Sequence, residues 1–147
     1  MTTGKTRSLG LDVGERRIGV AISDPLGMTA AGLETITRQN MAADVEAIVE
    51  LAKRHHVVEI VLGLPQNTDG SETDHARQVV SFGKKLAQAS GLPVIYEEGG
   101  LSSVSAIRTF TVQNAGKAGH SNDLVDRQAA AIILQKYLDG QEPPPTA

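Results

Sequence analysis

The apolar residues of this chain change period in a definite order, and that order leaves few ways to fold it. Arg7 to Val13 alternates apolar and small residues into Gly14, and Ile18-Gly-Val-Ala-Ile-Ser23 runs on to Asp24-Pro25-Leu-Gly27, which predicts a β-hairpin followed by a turn. A third strand is expected over Ala31 to Thr37. From Met41 to His55 the period lengthens, with Val45, Ile48, Val49 and Ala52 on one helical face behind Asn40, a preferred N-cap. Val57-Val-Glu-Ile-Val-Leu62 is a nearly unbroken β-branched run, as expected of a strand covered on both sides, and it ends at Gly63-Leu-Pro65. The turn-rich Gln66-Asn-Thr-Asp-Gly-Ser71 leads into a second helix from Ser71 to about Ser90, with Val79, Phe82, Gly83 and Leu86 on one stripe and Gly91 as its stop. Leu92 to Tyr96 reads as a short strand, Ser102 or Ser103 as the cap of a helix reaching Asn114, Ala115 to Asn122 as a Gly-rich connector, and Asp123 to Leu138 as the last helix.

A β-meander joined to two βα crossovers makes one mixed sheet of five strands, three antiparallel and two parallel, with helices on both faces. Helix starts and strand ends then meet at one edge, where α/β proteins bind their ligands. Residues 1–140 are expected to form this single α/β domain, and the Pro-rich tail 141–147 is expected to be disordered.

Composition excludes several chemistries. At 147 residues the chain is long enough to bury a core without disulfides, and with no Cys it has no thiol nucleophile and no cysteine zinc site. No segment approaches the ~20 apolar residues of a membrane span, and Met1 to Arg7 is not followed by the apolar run of a secretory signal, so a cytoplasmic protein is expected. The net charge of −3 contrasts with the basic face of most nucleic-acid binders, but carboxylates that ligate cations are neutralised by them. Lys53-Arg54-His55-His56 and Lys84-Lys85 read as solvated faces, whereas Arg16-Arg17 stands out because it lies beside Asp12. With only Phe82, Phe110, Tyr96 and Tyr137 as aromatics, no platform for stacking successive bases is expected.

Three acidic positions lie where the predicted fold converges. Asp12 lies at the end of the first strand in Leu9-Gly-Leu-Asp-Val-Gly14, Glu97-Glu98 follow the last, and Asp126 opens the last helix. Carboxylates of this kind suit Mg²⁺ or Mn²⁺, which take oxygen ligands and need no His or Cys. A pair of such ions hydrolyses phosphodiesters by activating water at one metal and stabilising the leaving oxygen at the other.

The strings that carry these residues resemble a known family. Leu9-Gly-Leu-Asp-Val-Gly-Glu-Arg-Arg-Ile-Gly-Val-Ala-Ile-Ser-Asp24, Val61-Leu-Gly-Leu-Pro-Gln-Asn-Thr-Asp-Gly-Ser71 and Leu124-Val-Asp-Arg-Gln-Ala-Ala-Ala131 are similar, in the same order, to motifs of the YqgF/RuvX family of RNase H-like nucleases, also called Holliday junction resolvase-like proteins. The resemblance implies an RNase H-like fold and a metal-dependent nuclease acting on structured RNA in 5′-end processing of precursor 16S rRNA, with branched DNA as the alternative substrate. It assigns Asp12 and Asp126 as metal ligands. The middle motif departs from the family's Asp-Glu-Arg-Leu-Thr-Thr: this chain has Glu97-Glu-Gly-Gly-Leu-Ser-Ser103, so the middle acid is Glu98, or Glu97 and Glu98 together if one Gly is an insertion, and the Arg is missing.

The expected catalytic set is therefore Asp12, Glu98 and Asp126. Asp123 is a further candidate ligand one turn before Asp126, although its favoured reading is the helix N-cap. Arg16, Arg17 and Asn67 are candidates for substrate contact. Gly10, Gly14 and Gly19 either let a nucleic-acid backbone approach or serve turn geometry. A monomer suffices for single-strand cleavage, and symmetric junction resolution would want a homodimer. Two rivals compete with the nuclease. An actin-like ATPase opens with a similar Asp-x-Gly hairpin but needs a second such domain, and a binding module could keep the fold after the middle acid drifted.

Overall fold

A computed structural model of the chain describes residues 7–64, 73–98 and 121–141. Strands β1 (Arg7–Val13) and β2 (Arg17–Ser23) form the hairpin, with Leu9 opposite Ile22 and Asp12 opposite Gly19. Gly14 N–H donates to the Arg17 carbonyl at 2.9 Å and closes the turn. At the other end of β2, the Asp24 carboxylate accepts the backbone N–H groups of Met28 and Thr29 at 2.7 and 2.9 Å. These donors hold its pKa below the usual carboxylate value. Strand β3 (Ala30–Thr37) then pairs antiparallel with β2.

Helix α1 (Met41–Arg54) starts where Asn40 accepts the Ala43 N–H at 2.9 Å. Its end leads through His56, which takes a left-handed φ of 57°, into β4 (Val57–Gly63), parallel to β1. Helix α2 (Asp74–Ser90) begins later than expected. Its cap is Thr73, whose hydroxyl accepts the Ala76 N–H at 2.9 Å, and Ser71 lies outside the described residues. Gly91 closes α2 in the left-handed conformation at φ 72°, which costs glycine no Cβ clash. Strand β5 spans Val94–Glu97, displaced from the expected Leu92 to Tyr96 because Pro93 has no N–H to give a ladder; its carbonyl accepts the Ile60 N–H at 3.0 Å.

The last described helix, α3 (Ser121–Asp139), starts two residues before its expected beginning and takes in part of the expected connector. Asp123 consequently lies in its first turn and is not its N-cap. The helix expected over 102–114, the rest of the connector and the tail 142–147 lie outside the described residues. No described helix is long and apolar enough to cross a membrane.

The sheet order is β3-β2-β1-β4-β5, antiparallel across the meander and parallel from β1 to β5, which is the expected mixed five-stranded sheet. Strand alternation gives it two faces. Leu9, Leu11, Val13, Ile18, Val20, Ile60 and Leu62 point to one, where Val45, Ile48 and Leu51 of α1 and Val79, Phe82 and Leu86 of α2 cover them. Ala21 and Val61 point to the other and pack against Ala129, Ala130, Ile133 and Leu134 of α3. Glycines on this second face bring α3 very close: a Cβ at Gly10 would lie 2.6 Å from the Leu134 Cβ, and one at Gly19 would run into the Asp126 carbonyl oxygen. Gly10 and Gly19 thus admit the chain's own helix, a role distinct from both turn geometry and substrate approach.

The far end of α3 is tied to β4 by a polar cluster. Glu59 accepts the Ser8 hydroxyl at 2.6 Å and the Tyr137 hydroxyl at 3.0 Å. Partial burial, with the hydrogen bond and charge of Glu59 and the charge of Glu97 added, pushes the Tyr137 pKa up from 10.0 to about 12. A raised folded-state pKa means that the stabilisation is complete below pH 10 and is lost as pH climbs towards 12. Thermal melts across that window are expected to show a steeper loss for wild type than for Tyr137→Phe. Parallel slopes would remove Tyr137 from the alkaline transition.

Candidate functional site

Asp12 is the sixth residue of β1 and alternates with Leu11 and Val13, which face α1 and α2, so its side chain faces α3. Its Oδ2 is shielded from solvent. The residue opposite on β2 is Gly19, the glycine whose bare Cα lets the first turns of α3 sit against the sheet at Asp126. Asp126 is 6% exposed, a rare burial for a carboxylate. Two residues before Gly19 and on the same face, Arg17 donates from Nε to the Asp126 Oδ2 at 2.6 Å. Asp12, Arg17 and Asp126 are therefore gathered at one end of the sheet, although the last lies 109 positions from Arg17.

The register extends this site across the sheet. Leu11 pairs with Leu62, which brings Gly63 of β4 level with Asp12, and Gly63 in turn pairs with Glu97 of β5. Two strand spacings, roughly 10 Å, separate the backbones of Asp12 and Glu97. Glu97 shares the α3 face with Ile95, whereas Val94 and Tyr96 pack on the opposite side. Glu98 follows the last residue of β5 and is exposed. Asp123 is also exposed, and its carbonyl accepts the Thr35 hydroxyl at 2.7 Å. Among the described residues no three His, Cys, Asp or Glu side chains come close enough together to hold one ion. Asp126 is turned to Arg17.

Arg16 is exposed on the hairpin turn. With Gly14, Glu15, Arg17 and Asp126 it lines a surface cleft of about 270 Å³. Asn67 lies outside the described residues.

The turn that follows Asp12 is braced from behind by a residue that sequence reasoning passed over. Arg38 donates from Nη1 to the Gly14 carbonyl at 2.9 Å and from Nε to the Asp44 carboxylate at 3.1 Å, and its guanidinium lies 5.4 Å from the centre of the Phe82 ring. Asp44 is buried on α1 and also accepts the Gln39 N–H at 3.0 Å. The available signal was an acid beside Val45 on the apolar face of an amphipathic helix, since a carboxylate there must be paired.

Asp12 and Asp126 offer hard oxygen atoms of the kind a divalent cation takes, on a shared face and beside a glycine that puts no side chain between them. The fold matches resolvase structures. Thermus thermophilus RuvC in complex with a Holliday junction substrate superposes with a TM-score of 0.54 at 14% identity, over 87% of this chain and 91% of that one. The fowlpox virus Holliday junction resolvase gives 0.54 at 14% identity, over 92% of this chain and 100% of that one. These likenesses identify the architecture as RNase H-like. Two curated relatives are far closer in sequence, and both are named "Putative pre-16S rRNA nuclease". The one from Myxococcus xanthus is 42% identical over 140 residues, covering 95% of this chain and 92% of its own, and the one from Moorella thermoacetica is 45% identical over 133 residues, covering 90% and 94%. Residues 6–140 match the family described as RuvX: Holliday junction resolvase. With nearly its whole length matched, the chain belongs to the RuvX family.

Proposed function

We propose that this protein is a metal-dependent nuclease of the cytoplasm that hydrolyses phosphodiester bonds at the 5′ end of precursor 16S rRNA. The observation that carries the reading is the pairing of Asp12 with Gly19, which seats the buried Asp126 carboxylate on the same face and at the same end of the sheet. Buried acids cost several kcal/mol each unless something cationic is built in with them. The family and the names of the 42% and 45% identical relatives favour nucleic acid as the substrate.

Bound Mg²⁺ or Mn²⁺ supplies an activated water and charge stabilisation at the leaving oxygen. The chain's own residues do the holding. Asp12, fixed within β1, and Asp126, fixed by α3, are the two rigid ligands. The third carboxylate comes from the Glu97-Glu98 pair, and Glu97 has the better claim because it faces α3 in the row of Asp12 and Gly63. Asp123, exposed in the first turn of α3, is a further candidate ligand. Arg16, exposed at the lip of the cleft, suits a phosphate of the substrate.

A second reading, a DNA junction resolvase, is favoured by the family's own description. It would want a two-fold dimer, whereas a monomer suffices for cutting one RNA strand. The two are separated by Mn²⁺-dependent cleavage of a precursor 16S 5′ leader and of a four-way DNA junction, with wild type and a folded Asp12→Asn side by side. We expect cleavage of the leader by wild type alone. Preference for the junction would select the resolvase, and two folded proteins inert on both substrates would leave a binding module.

A further inference from the structure

We propose that Arg38 is a positioning residue for nucleic-acid binding: it holds the backbone of the β1–β2 turn on both sides of the Glu15-Arg16 tip and thereby presents Arg16 at the cleft, where its guanidinium meets a phosphate of the substrate. Arg38 acts from the opposite face of the sheet and touches no substrate itself. The proposal rests on the nucleic-acid reading above and on the phosphate backbone that RNA and DNA share.

The turn is short and its tip is exposed. β1 ends at Val13 and β2 starts at Arg17, so Gly14, Glu15 and Arg16 make the whole connection. The Gly14 N–H closes it from within, donating to the Arg17 carbonyl at 2.9 Å. Two further bonds come from Arg38, the residue that follows β3. Its backbone N–H donates to the Arg16 carbonyl at 2.8 Å, which continues the β2–β3 ladder past the Arg17–Thr37 pair. Its Nη1 donates to the Gly14 carbonyl at 2.9 Å. The two carbonyls that flank the Glu15-Arg16 tip are thus both held by one residue.

The guanidinium serves as a strut because its other end is fixed. Nε donates to the Asp44 Oδ2 at 3.1 Å, and the Asp44 side chain is 2% exposed and also accepts the Gln39 N–H through Oδ1 at 3.0 Å. The guanidinium carbon lies 5.4 Å from the centre of the Phe82 ring, within cation–π range. Asp44 belongs to α1 and Phe82 to α2, so the turn is held from the layer opposite the helix that carries Asp126. Among the described residues Arg16 lines the cleft and Arg38 does not. A planar guanidinium uses different nitrogens for Asp44 and Gly14, an arrangement that a lysine ammonium, one nitrogen on a flexible stem, does not reproduce. Fixing the turn restricts Arg16 before substrate arrives, so less freedom is lost when a phosphate binds.

The test is binding to the full chain. Fluorescence anisotropy follows a labelled precursor 16S 5′ leader and a labelled four-way DNA junction, with Ca²⁺ as the divalent ion, across a salt series for wild type, Arg16→Gln, Arg38→Lys and the double variant. Arg16→Gln is expected to weaken binding and to lower the salt slope by about 1, as the loss of one phosphate contact does. Arg38→Lys keeps the formal charge, yet it should weaken binding by about 2- to 10-fold, the lower part of the range for residues in one network, and lower the slope as well. The double variant should bind no more weakly than Arg16→Gln alone, because Arg38 acts through Arg16. A merely structural brace lowers the melting temperature but leaves the affinity and salt slope of the folded protein unchanged. That result overturns the proposal, as do effects of the two substitutions that add, or an Arg16→Gln protein that binds like wild type; in each case the nuclease reading stands. If Arg38→Lys does not fold, Asp44→Asn takes its place. The amide still accepts the Gln39 N–H but gives up the charge that anchors Arg38, and the same non-additivity with Arg16→Gln decides. Wild type that binds neither probe removes the nucleic-acid reading itself, and the positioning role falls with it.

Discussion

Gly19→Ala is expected to cost about 3 kcal/mol or more of stability, the upper end of the range for an overpacked site. The added methyl would meet the Asp126 carbonyl oxygen and carbonyl carbon, which are helix backbone and cannot rotate aside as a side chain would. Either β2 bends or the first turn of α3 lifts off the sheet. For a domain of this size such a loss lowers the melting temperature by roughly 6–12 °C. Gly140→Ala provides the comparison. A Cβ there comes no closer than 3.5 Å to its neighbours, so a change within about 0.5 kcal/mol is expected. Thermal denaturation of the two variants checks the pair. A Gly19→Ala protein as stable as wild type would mean that α3 does not sit where the packing of Ala129, Ala130, Ile133 and Leu134 puts it.

The same substitution should also disturb the site, because the lifted turn is the one that carries Asp126. Stability and function are linked here through one glycine, and this is the type of link that local sequence patterns hide. Period and turn chemistry are local, and they were legible: the order of the elements, Asn40 as the cap of α1 and Gly91 as the stop of α2 all follow from residues within a few positions of one another. Asp12 and Asp126 stood out as candidates because each sits in a long motif string.

What the sequence hid depends on which elements touch. Gly19 looks like a hairpin glycine until α3 is laid across it, and Arg17 looks like a surface charge until the helix brings Asp126 to it. The choice between Glu97 and Glu98 shows how little separates two readings. A strand ending at Tyr96 leaves both acids in a loop, whereas one running to Glu97 assigns that residue to the α3 face by alternation alone. Likewise, nothing near Arg38 in the sequence marks it until its bonds to Gly14 and Asp44 connect the hairpin turn to α1.

Asp12→Asn is expected to lower the cleavage rate by at least roughly 10²–10³-fold while leaving the folded protein as stable as wild type or more so. The two halves of that expectation have different origins. Activity falls because an amide is a poor ligand for Mg²⁺ or Mn²⁺, and a cation held by Asp126 and a glutamate alone is misplaced for the reacting phosphate. Stability holds because Asn is nearly isosteric and removes one of two like charges from a shielded face, while Arg17 still pairs with Asp126. A structural aspartate behaves differently: its loss would lower the melting temperature in step with activity. The decisive comparison measures cleavage, Mn²⁺ binding and thermal stability on the same preparation. A folded Asp12→Asn that cleaves at the wild-type rate would end the carboxylate mechanism. One that melts several degrees lower would make Asp12 a structural residue, and the catalytic case would then fall to Asp126 and Glu97.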